Sequence, residues 1–201
     1  MRPVILASAS PRRAELLLQM GVSFSVQPAD VNEVPLAGEA PANYVVRLAR
    51  EKALAASRPA AGAIVLGADT SVLVDEQILG KPVNTQQAIE TLTSLSARTH
   101  QVVTGVAVAV DGYVQTCLSR AEVTFRELRP DEISAYVRSG EPMDKAGSYG
   151  IQGLGGIFVK HLQGSYSAVV GLPLYETANL LAAAGYPVWA SWQSGQESLN
   201  E

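Results

Sequence analysis

The chain of 201 residues contains a single cysteine, Cys117, and this scarcity excludes an intrachain disulfide. Charged residues are also few. They make up 17% of the chain, against 47% for hydrophobic residues, and this balance excludes a disordered protein. The net charge of −4 supplies no overall attraction to nucleic acid or to an anionic membrane. A polyanion could therefore bind only through a local cluster of cationic side chains.

Long apolar runs are missing as well. No stretch approaches the roughly 20 residues that a membrane-spanning helix needs, and the apolar run at the N-terminus is too short for the core of a signal peptide. Together with the single cysteine, these absences predict a cytoplasmic protein with no membrane or nucleic-acid partner. The length predicts one domain, which we place at residues 1–190, followed by a polar, frayed tail at residues 191–201.

The order of the hydrophobic patterns predicts an α/β fold, with a mixed twisted sheet flanked by helices in two lobes around a central cleft. Strands are predicted at residues 4–7, 24–27, 63–67, 72–74 and 166–170, with a hairpin at 101–125 that turns at Asp111-Gly112. Helices are predicted at residues 11–20, 41–57, 85–95, 130–138 and 173–184. The glycine-rich segment 140–164 carries little helical signal.

The first candidate site is the segment from Ser8 to Arg13, where a strand feeds a helix that begins with proline. Free backbone N–H groups and the helix dipole favour an anion at such a position. Arg12 and Arg13 oppose that dipole unless a phosphate binds between them and the backbone. The alternative is a solvated first turn with two surface arginines.

The second and third candidates are Lys52 and Asp69. Lys52 falls on the apolar stripe of its helix, so it either reaches back to the surface or projects into a polar cleft. Asp69 follows a buried strand directly, and a buried carboxylate is costly unless it is paired or binds a metal. It is therefore a candidate general base or metal ligand, the alternative being a turn-forming aspartate.

Two further segments complete the candidates. Lys81 lies on a tight turn between Gly80 and Pro82. In the glycine-rich segment at residues 145–156, the glycines allow close approach to a ligand, and Gln152 offers a paired donor and acceptor to an amide-like base edge. The alternative is a set of ordinary turns ahead of a strand. His100 and His161 are isolated and lack the spacing of metal ligands.

Taken together, these segments resemble the Maf family of nucleoside triphosphate pyrophosphatases. The matching motifs cover most of the chain in order, from about residue 4 to residue 185. They include Leu-Ala-Ser-Ala-Ser-Pro-Arg-Arg at 6–13, Arg-Leu-Ala-Arg-Glu-Lys-Ala at 47–53, Gly-Ala-Asp-Thr at 67–70, Leu-Gly-Lys-Pro at 79–82, Ser-Gly-Glu-Pro-Met-Asp-Lys-Ala-Gly at 139–147, Gly-Ile-Gln-Gly at 150–153, Ser-Tyr at 165–166 and Val-Val-Gly-Leu-Pro at 169–173.

The resemblance extends to one branch of the family. The branch that hydrolyses dTTP and UTP to the monophosphate and pyrophosphate carries Pro-Arg-Arg, Ala-Asp-Thr and Tyr-Gly-Ile-Gln-Gly, and all three are present here. The 7-methyl-GTP branch typically has Pro-Trp-Arg-Arg, Ser-Asp-Gln and Lys-x-Glu, so Ala68, Thr70 and Gln152 disfavour it. A further alternative is a nucleotide-binding regulator, since the family has been linked to septum formation and cell shape.

The resemblance also implies roles for individual residues. Asp69 would accept the proton of the attacking water. The residues that would set the choice of base are Arg12, Thr70 and Gln152. The residues that would bind the phosphates are Ser8, Arg13, Lys52 and Lys81. A divalent cation, Mg²⁺ or Mn²⁺, would bind to Asp69 and Glu33, and a homodimer is expected.

Overall fold

The computed structural model describes residues 1–195, and within them seven strands form one mixed sheet. The spatial order is β2-β1-β3-β5-β6-β7, with β4 paired to β3. The strands are β1 (Val4–Leu6), β2 (Phe24–Val26), β3 (Ile64–Val74), β4 (Gln77–Leu79), β5 (Thr99–Val110), β6 (Tyr113–Phe125) and β7 (Val159–Gln163).

Helices flank this sheet, which confirms the predicted fold class. They are α1 (Pro11–Gln19), α2 (Pro41–Ser57), α3 (Thr85–Leu95), α4 (Pro130–Arg138), α5 (Tyr166–Val170) and α6 (Leu174–Ala183). A proline in the first turn opens α1, α2 and α4, where its missing N–H costs no helical hydrogen bond. Asn84 caps α3 by accepting a hydrogen bond from the backbone N–H of Gln87 at 2.9 Å.

The core lies on both faces of the sheet because successive residues of β3 point to opposite sides. Leu66 packs with Leu17 of α1 and Leu181 of α6. Val65 packs on the other face with Ala49 and Ala53 of α2. Strand β1 pairs in parallel with β2 and β3, whereas β5 and β6 form a long antiparallel hairpin. No helix within residues 1–195 has the length and apolar character to cross a bilayer.

Strand β3 differs from its prediction, because it continues through the segment at residues 68–70 where the sequence pattern indicated a break. Asp69 pairs with Gly105 of β5, and Thr70 pairs with Thr104. The antiparallel ladder with β5 therefore satisfies the backbone of these residues, although aspartate is uncommon inside strands. The polar side chains of Asp69 and Thr70 thus stand on a rigid strand and not in a turn.

The predicted last strand at residues 166–170 was wrong, since this segment is helix α5. The side-chain oxygen of Ser165 accepts a hydrogen bond from the backbone N–H of Ala168 at 3.2 Å and caps the helix. Gly171 ends it with a φ of 133°. The sheet is completed instead by β7, which together with β4 was not predicted.

The glycine-rich segment at residues 140–164 contains short 3₁₀ turns at Glu141–Asp144, Ala146–Ser148 and Leu154–Phe158 before β7. Of the tail predicted at residues 191–201, the first part belongs to a 3₁₀ helix at Val188–Gly195, and the rest lies outside the described residues.

Candidate active site

A cleft of about 600 Å³ opens where the β1–α1 loop, the middle of β3 and the glycine-rich segment meet. All the residues that the sequence singled out for the site line this cleft. They are Ser8, Arg12, Arg13, Glu33, Lys52, Asp69, Thr70, Lys81 and Gln152.

The cleft contains a cation between two carboxylates. Lys52 Nζ lies 2.8 Å from Oδ1 of Asp69 and 2.6 Å from Oε1 of Glu33. Lys52 is 8% exposed and Asp69 is 9% exposed, so their charges are largely removed from water. Lys52 therefore projects into the cleft, as one of the two alternatives predicted, and pairing compensates for the burial of Asp69.

Two glycines bring the helix that carries Lys52 close to the strand that carries Asp69. A Cβ at Gly67 of β3 would lie 2.7 Å from the backbone nitrogen of Ala53, and one at Gly105 of β5 would lie 2.5 Å from the carbonyl oxygen of Val45. No side chain fits at either position, so α2 rests on the bare backbone of the sheet. This close approach places Lys52 over Asp69.

The environment separates the pKa values of the two carboxyls. Burial raises the pKa of Asp69 above its ordinary value, although the positive charges of Lys52 and Arg13 oppose this. Burial also raises the pKa of Glu33, but the hydrogen bond and charge of Lys52, aided by Lys81 and Arg13, outweigh it and hold that pKa below its usual range. Asp69 is thus the stronger base of the pair, as a proton acceptor requires.

Arg13 is fixed in the cleft by three neutral oxygen acceptors. Its Nη1 donates to Ser8 Oγ at 3.1 Å, its Nη2 to Thr70 Oγ1 at 3.3 Å, and its Nε to the carbonyl of Gly171 at 2.9 Å. Burial lowers the pKa of Arg13, but a guanidinium remains charged in proteins. Because no carboxylate within residues 1–195 pairs with it directly, Arg13 keeps a positive charge and further N–H donors for an anion.

Thr70 lies in a directional chain of hydrogen bonds. Thr104 Oγ1 donates to the carbonyl oxygen of Ala168 at 2.8 Å, so it accepts from Thr70 Oγ1 at 3.0 Å. The hydroxyl oxygen of Thr70 in turn accepts from Arg13. Thr70 therefore orients Arg13, and Thr104, which no sequence motif singles out, orients Thr70.

The mouth of the cleft carries a second group of charges. Arg12 Nη1 lies 3.4 Å from Oδ2 of Asp144, whose other oxygen accepts from Lys145 Nζ at 2.6 Å. Lys145 also donates to the carbonyl oxygen of Glu141 at 2.7 Å. Local sequence patterns predict no role for Asp144 or Lys145, because Asp144 meets the distant Arg12 only once the chain has folded.

The protein ligands for a metal ion are limited. Within residues 1–195, no group of three or more His, Cys, Asp or Glu side chains could hold one. Asp69 and Glu33 nevertheless converge on one point, the Nζ of Lys52. A Mg²⁺ ion commonly binds through one or two carboxylates, with substrate phosphates and water completing its shell. This pair fits that arrangement and not a cage made of protein alone.

A cleft against the middle of the internal strand β3, with fixed cations around a buried carboxylate, defines an α/β protein that binds a phosphorylated ligand. The chain belongs to the Maf family, since the family model described as Maf-like protein matches residues 3–184. The predicted family is thereby confirmed.

Curated relatives are similar over most of their length, and three of them carry the name dTTP/UTP pyrophosphatase. The chain is 55% identical over 179 residues to the one from Vibrio cholerae, which covers 89% of this chain and 96% of the relative. It is 53% identical over 188 residues to the one from Colwellia psychrerythraea, covering 91% and 89%. It is 53% identical over 185 residues to the one from Myxococcus xanthus, covering 92% and 94%. These names agree with the predicted branch.

Proposed function

We propose that this protein hydrolyses dTTP and UTP to the nucleoside monophosphate and pyrophosphate. One observation carries the proposal: the buried carboxylate of Asp69 is hydrogen-bonded to Lys52 in a cleft where Arg13 has no carboxylate partner among the described residues. This arrangement holds both a base for water and cations for phosphate. The names of relatives more than 50% identical to this chain give the same activity.

The cations and Asp69 have different roles in the reaction. A triphosphate carries about four negative charges, and cleavage at the α-phosphorus builds further charge on the leaving pyrophosphate. Arg13, Lys52 and Lys81, with the backbone N–H groups after Ser8, bind and stabilise these oxygens. Asp69 accepts a proton from the water that attacks the α-phosphorus.

A divalent cation, Mg²⁺ or Mn²⁺, is part of the proposal. Asp69 and Glu33 would hold it, and it would neutralise phosphate charge while the nucleotide is bound. Chelation of divalent ions should abolish turnover, and added Mg²⁺ or Mn²⁺ should restore it. Full turnover after exhaustive chelation would contradict this part of the proposal.

Recognition of the base is assigned to Arg12, Thr70 and Gln152. Gln152 is exposed in the cleft, and within the described part of the chain nothing hydrogen-bonds its side chain, so its amide is available to a ligand. An amide offers one donor and one acceptor, which match the O4 and N3–H edge shared by uracil and thymine. The contacts of Thr70 with Arg13 give it an indirect part in this recognition.

A nucleotide panel with product analysis tests the proposal. The protein is incubated in oxygen-18 water with UTP, dTTP, CTP, GTP and 7-methyl-GTP, and products are separated and weighed by mass spectrometry. We expect UMP and dTMP that carry the label, unlabelled pyrophosphate, and much slower turnover of the other nucleotides. Release of UDP and phosphate would contradict attack at the α-phosphorus. Nucleotides that bind but persist would instead favour the nucleotide-binding regulator. The homodimer stays a prediction.

A further inference from the structure

Gln152 is carried by a tight turn that its own side chain does not stabilise. The backbone N–H of Gly153 donates to the carbonyl oxygen of Gly150 at 3.2 Å and closes this turn. Because the amide of Gln152 must meet the edge of a base within a few tenths of an ångström, the position of the turn matters for selectivity. Something outside the turn must therefore fix it.

The carboxylate of Glu141 fixes one end of the turn. Its Oε2 accepts a hydrogen bond from the backbone N–H of Leu154 at 2.9 Å, and its Oε1 accepts one from the N–H of Gly155 at 3.2 Å. Hydrogen bonds to a charged acceptor are stronger than those between neutral groups. A single side chain thus holds the two residues that follow Gln152 and Gly153.

Tyr136 of α4 fixes the other end and joins it to the first. Its hydroxyl donates to Oε1 of Glu141 at 2.8 Å and accepts from the backbone N–H of Gly150 at 3.0 Å. The hydroxyl thus donates one hydrogen bond and accepts another, so the two contacts form together. Tyr136 is itself buried in the core beside Phe158. The Gln152 turn is therefore held on both sides by one connected pair of side chains.

The glycines of this segment have a reason that differs from the predicted one. A Cβ at Gly153 would lie 2.6 Å from Cδ of Glu141, and one at Gly155 would lie 2.7 Å from the hydroxyl of Tyr136. From the sequence alone, the density of glycine predicts room for a ligand. At these two positions the missing side chains make room for Glu141 and Tyr136 instead.

Glu141 and Tyr136 do not themselves line the cleft, although the turn does. Any influence that they have on a bound nucleotide must therefore pass through the turn. The pKa of Glu141 also agrees with its contacts: burial raises it, but the hydrogen bonds from Leu154 and Tyr136 outweigh burial and lower it. Glu141 is consequently ionised at neutral pH and accepts all three hydrogen bonds.

We propose that Glu141, together with Tyr136, is a positioning residue that fixes the Gln152 turn and thereby sets selectivity for the uracil and thymine edge. This inference rests on the proposed function, because it concerns which base the same cleft accepts. It adds a determinant of selectivity that lies outside the cleft.

Kinetics with UTP and CTP test the effect on selectivity, since these two nucleotides differ only at the base edge that Gln152 would read. We expect Glu141→Gln to lower the ratio of kcat/KM for UTP over CTP by about tenfold, mainly through a higher KM for UTP. Glu132→Gln, which removes a carboxylate from the same helix as Tyr136 without touching the turn, serves as the control and should leave the ratio unchanged.

A double-mutant cycle decides whether Glu141 acts through Gln152. If it does, adding Glu141→Gln to Gln152→Ala should change the UTP-to-CTP ratio by less than about twofold. Independent, additive losses in the double variant would overturn the proposal. So would a ratio that Glu141→Gln leaves at the wild-type value.

Hydrogen exchange separates a failure of this inference from a failure of the proposed function, because it needs no turnover. In the unliganded protein, Glu141→Gln should speed amide exchange at Leu154 and Gly155, and Tyr136→Phe should speed it at Gly150. Unchanged exchange in both variants would overturn the positioning role even if UTP is a substrate. If wild-type protein turns over neither UTP nor dTTP, the proposed function fails, and with it the link to selectivity. Tyr136→Phe also replaces Glu141→Gln if the latter does not fold.

Discussion

Lys52 Nζ lies 2.8 Å from Oδ1 of Asp69, and it is this ammonium group that makes a buried aspartate usable as a base. Burial alone would favour the protonated acid, which cannot accept a proton from water. The charge of Lys52 opposes that effect, while burial keeps the pKa of Asp69 raised. The pair therefore balances two needs: an ionised carboxylate and one basic enough to work.

The first prediction concerns the pH profile of Lys52→Met. Burial raises the pKa of Asp69, and the ammonium of Lys52 is the strongest influence that lowers it. Without this ammonium, the pKa of Asp69 should rise further. Since the ionised form of Asp69 is the active one, the acidic limb of the pH profile of kcat/KM for UTP should move to higher pH. The lost contact between Lys52 and the phosphates should also lower activity at pH 7 by at least about tenfold. Lys160→Met, on the exposed side of β7, is the control. An unmoved limb would contradict the pairing.

The second prediction concerns stability and rests on the buried residue His100. Among residues 1–195, the single hydrogen bond of its side chain joins Nε2 to the hydroxyl of Tyr149 at 2.8 Å. Burial lowers the pKa of His100 from 6.5 to about 4. As the pH falls, the unfolded chain takes up this proton near pH 6.5, whereas the folded protein does not until about pH 4. The contribution of neutral His100 to the unfolding free energy is therefore complete above pH 6.5 and is lost as the pH falls from 6.5 to about 4.

Urea unfolding from pH 7.5 to 4 measures this effect. His100 should account for about 3 kcal/mol of the loss in unfolding free energy. His100→Gln keeps a polar partner for Tyr149 but cannot titrate, so its stability should fall less steeply over this range. His161→Gln, at an exposed position, controls for the loss of a histidine as such. Parallel slopes for wild type and His100→Gln would argue against a buried neutral histidine.

The third prediction tests the close approach of α2 to the sheet. The Cβ in Gly67→Ala would press against the backbone of α2 at Ala49 and Ala53, and a backbone cannot rotate away as a side chain can. We expect a loss of at least about 2 kcal/mol in unfolding free energy. Activity should fall as well, since Lys52 would be displaced from Asp69. In Gly80→Ala the added methyl meets nothing within 4 Å, so its stability should stay near wild type.

Much of the frame could be predicted from local patterns. Proline at the first turn and a long apolar stripe define α2, and the stripe also placed Lys52 on the buried side of that helix. The Ser8-to-Arg13 segment was predicted as an anion site from the conflict between two arginines and the helix dipole. Within residues 1–195, Arg13 lies in the cleft without a carboxylate partner, while the binding of an anion there stays a prediction.

Other features depend on residues far along the chain, so local sequence patterns do not predict them. The five residues of α5 are mostly apolar, and the segment is too short for its hydrophobic period to distinguish a helix from a strand. Only the cap at Ser165 favours the helix. Strand β3 continues through Asp69 because Asp69 pairs with Gly105 of β5. The sequence around Asp69 contains no information about this distant partner. The same holds for Glu141, whose contacts with Leu154 and Gly155 exist only once the chain has folded.

The fourth prediction addresses the central claim, that Asp69 activates the attacking water, through the turnover of UTP by Asp69→Asn. An asparagine preserves the shape and can still accept from Lys52, so the protein should fold, but it cannot take up the proton. The matched control is Asp75→Asn, which alters an exposed aspartate just beyond the end of the same strand. We expect kcat for UTP to fall at least about 100-fold in Asp69→Asn and to be unchanged in the control. Turnover by folded Asp69→Asn at close to the wild-type rate would contradict the account.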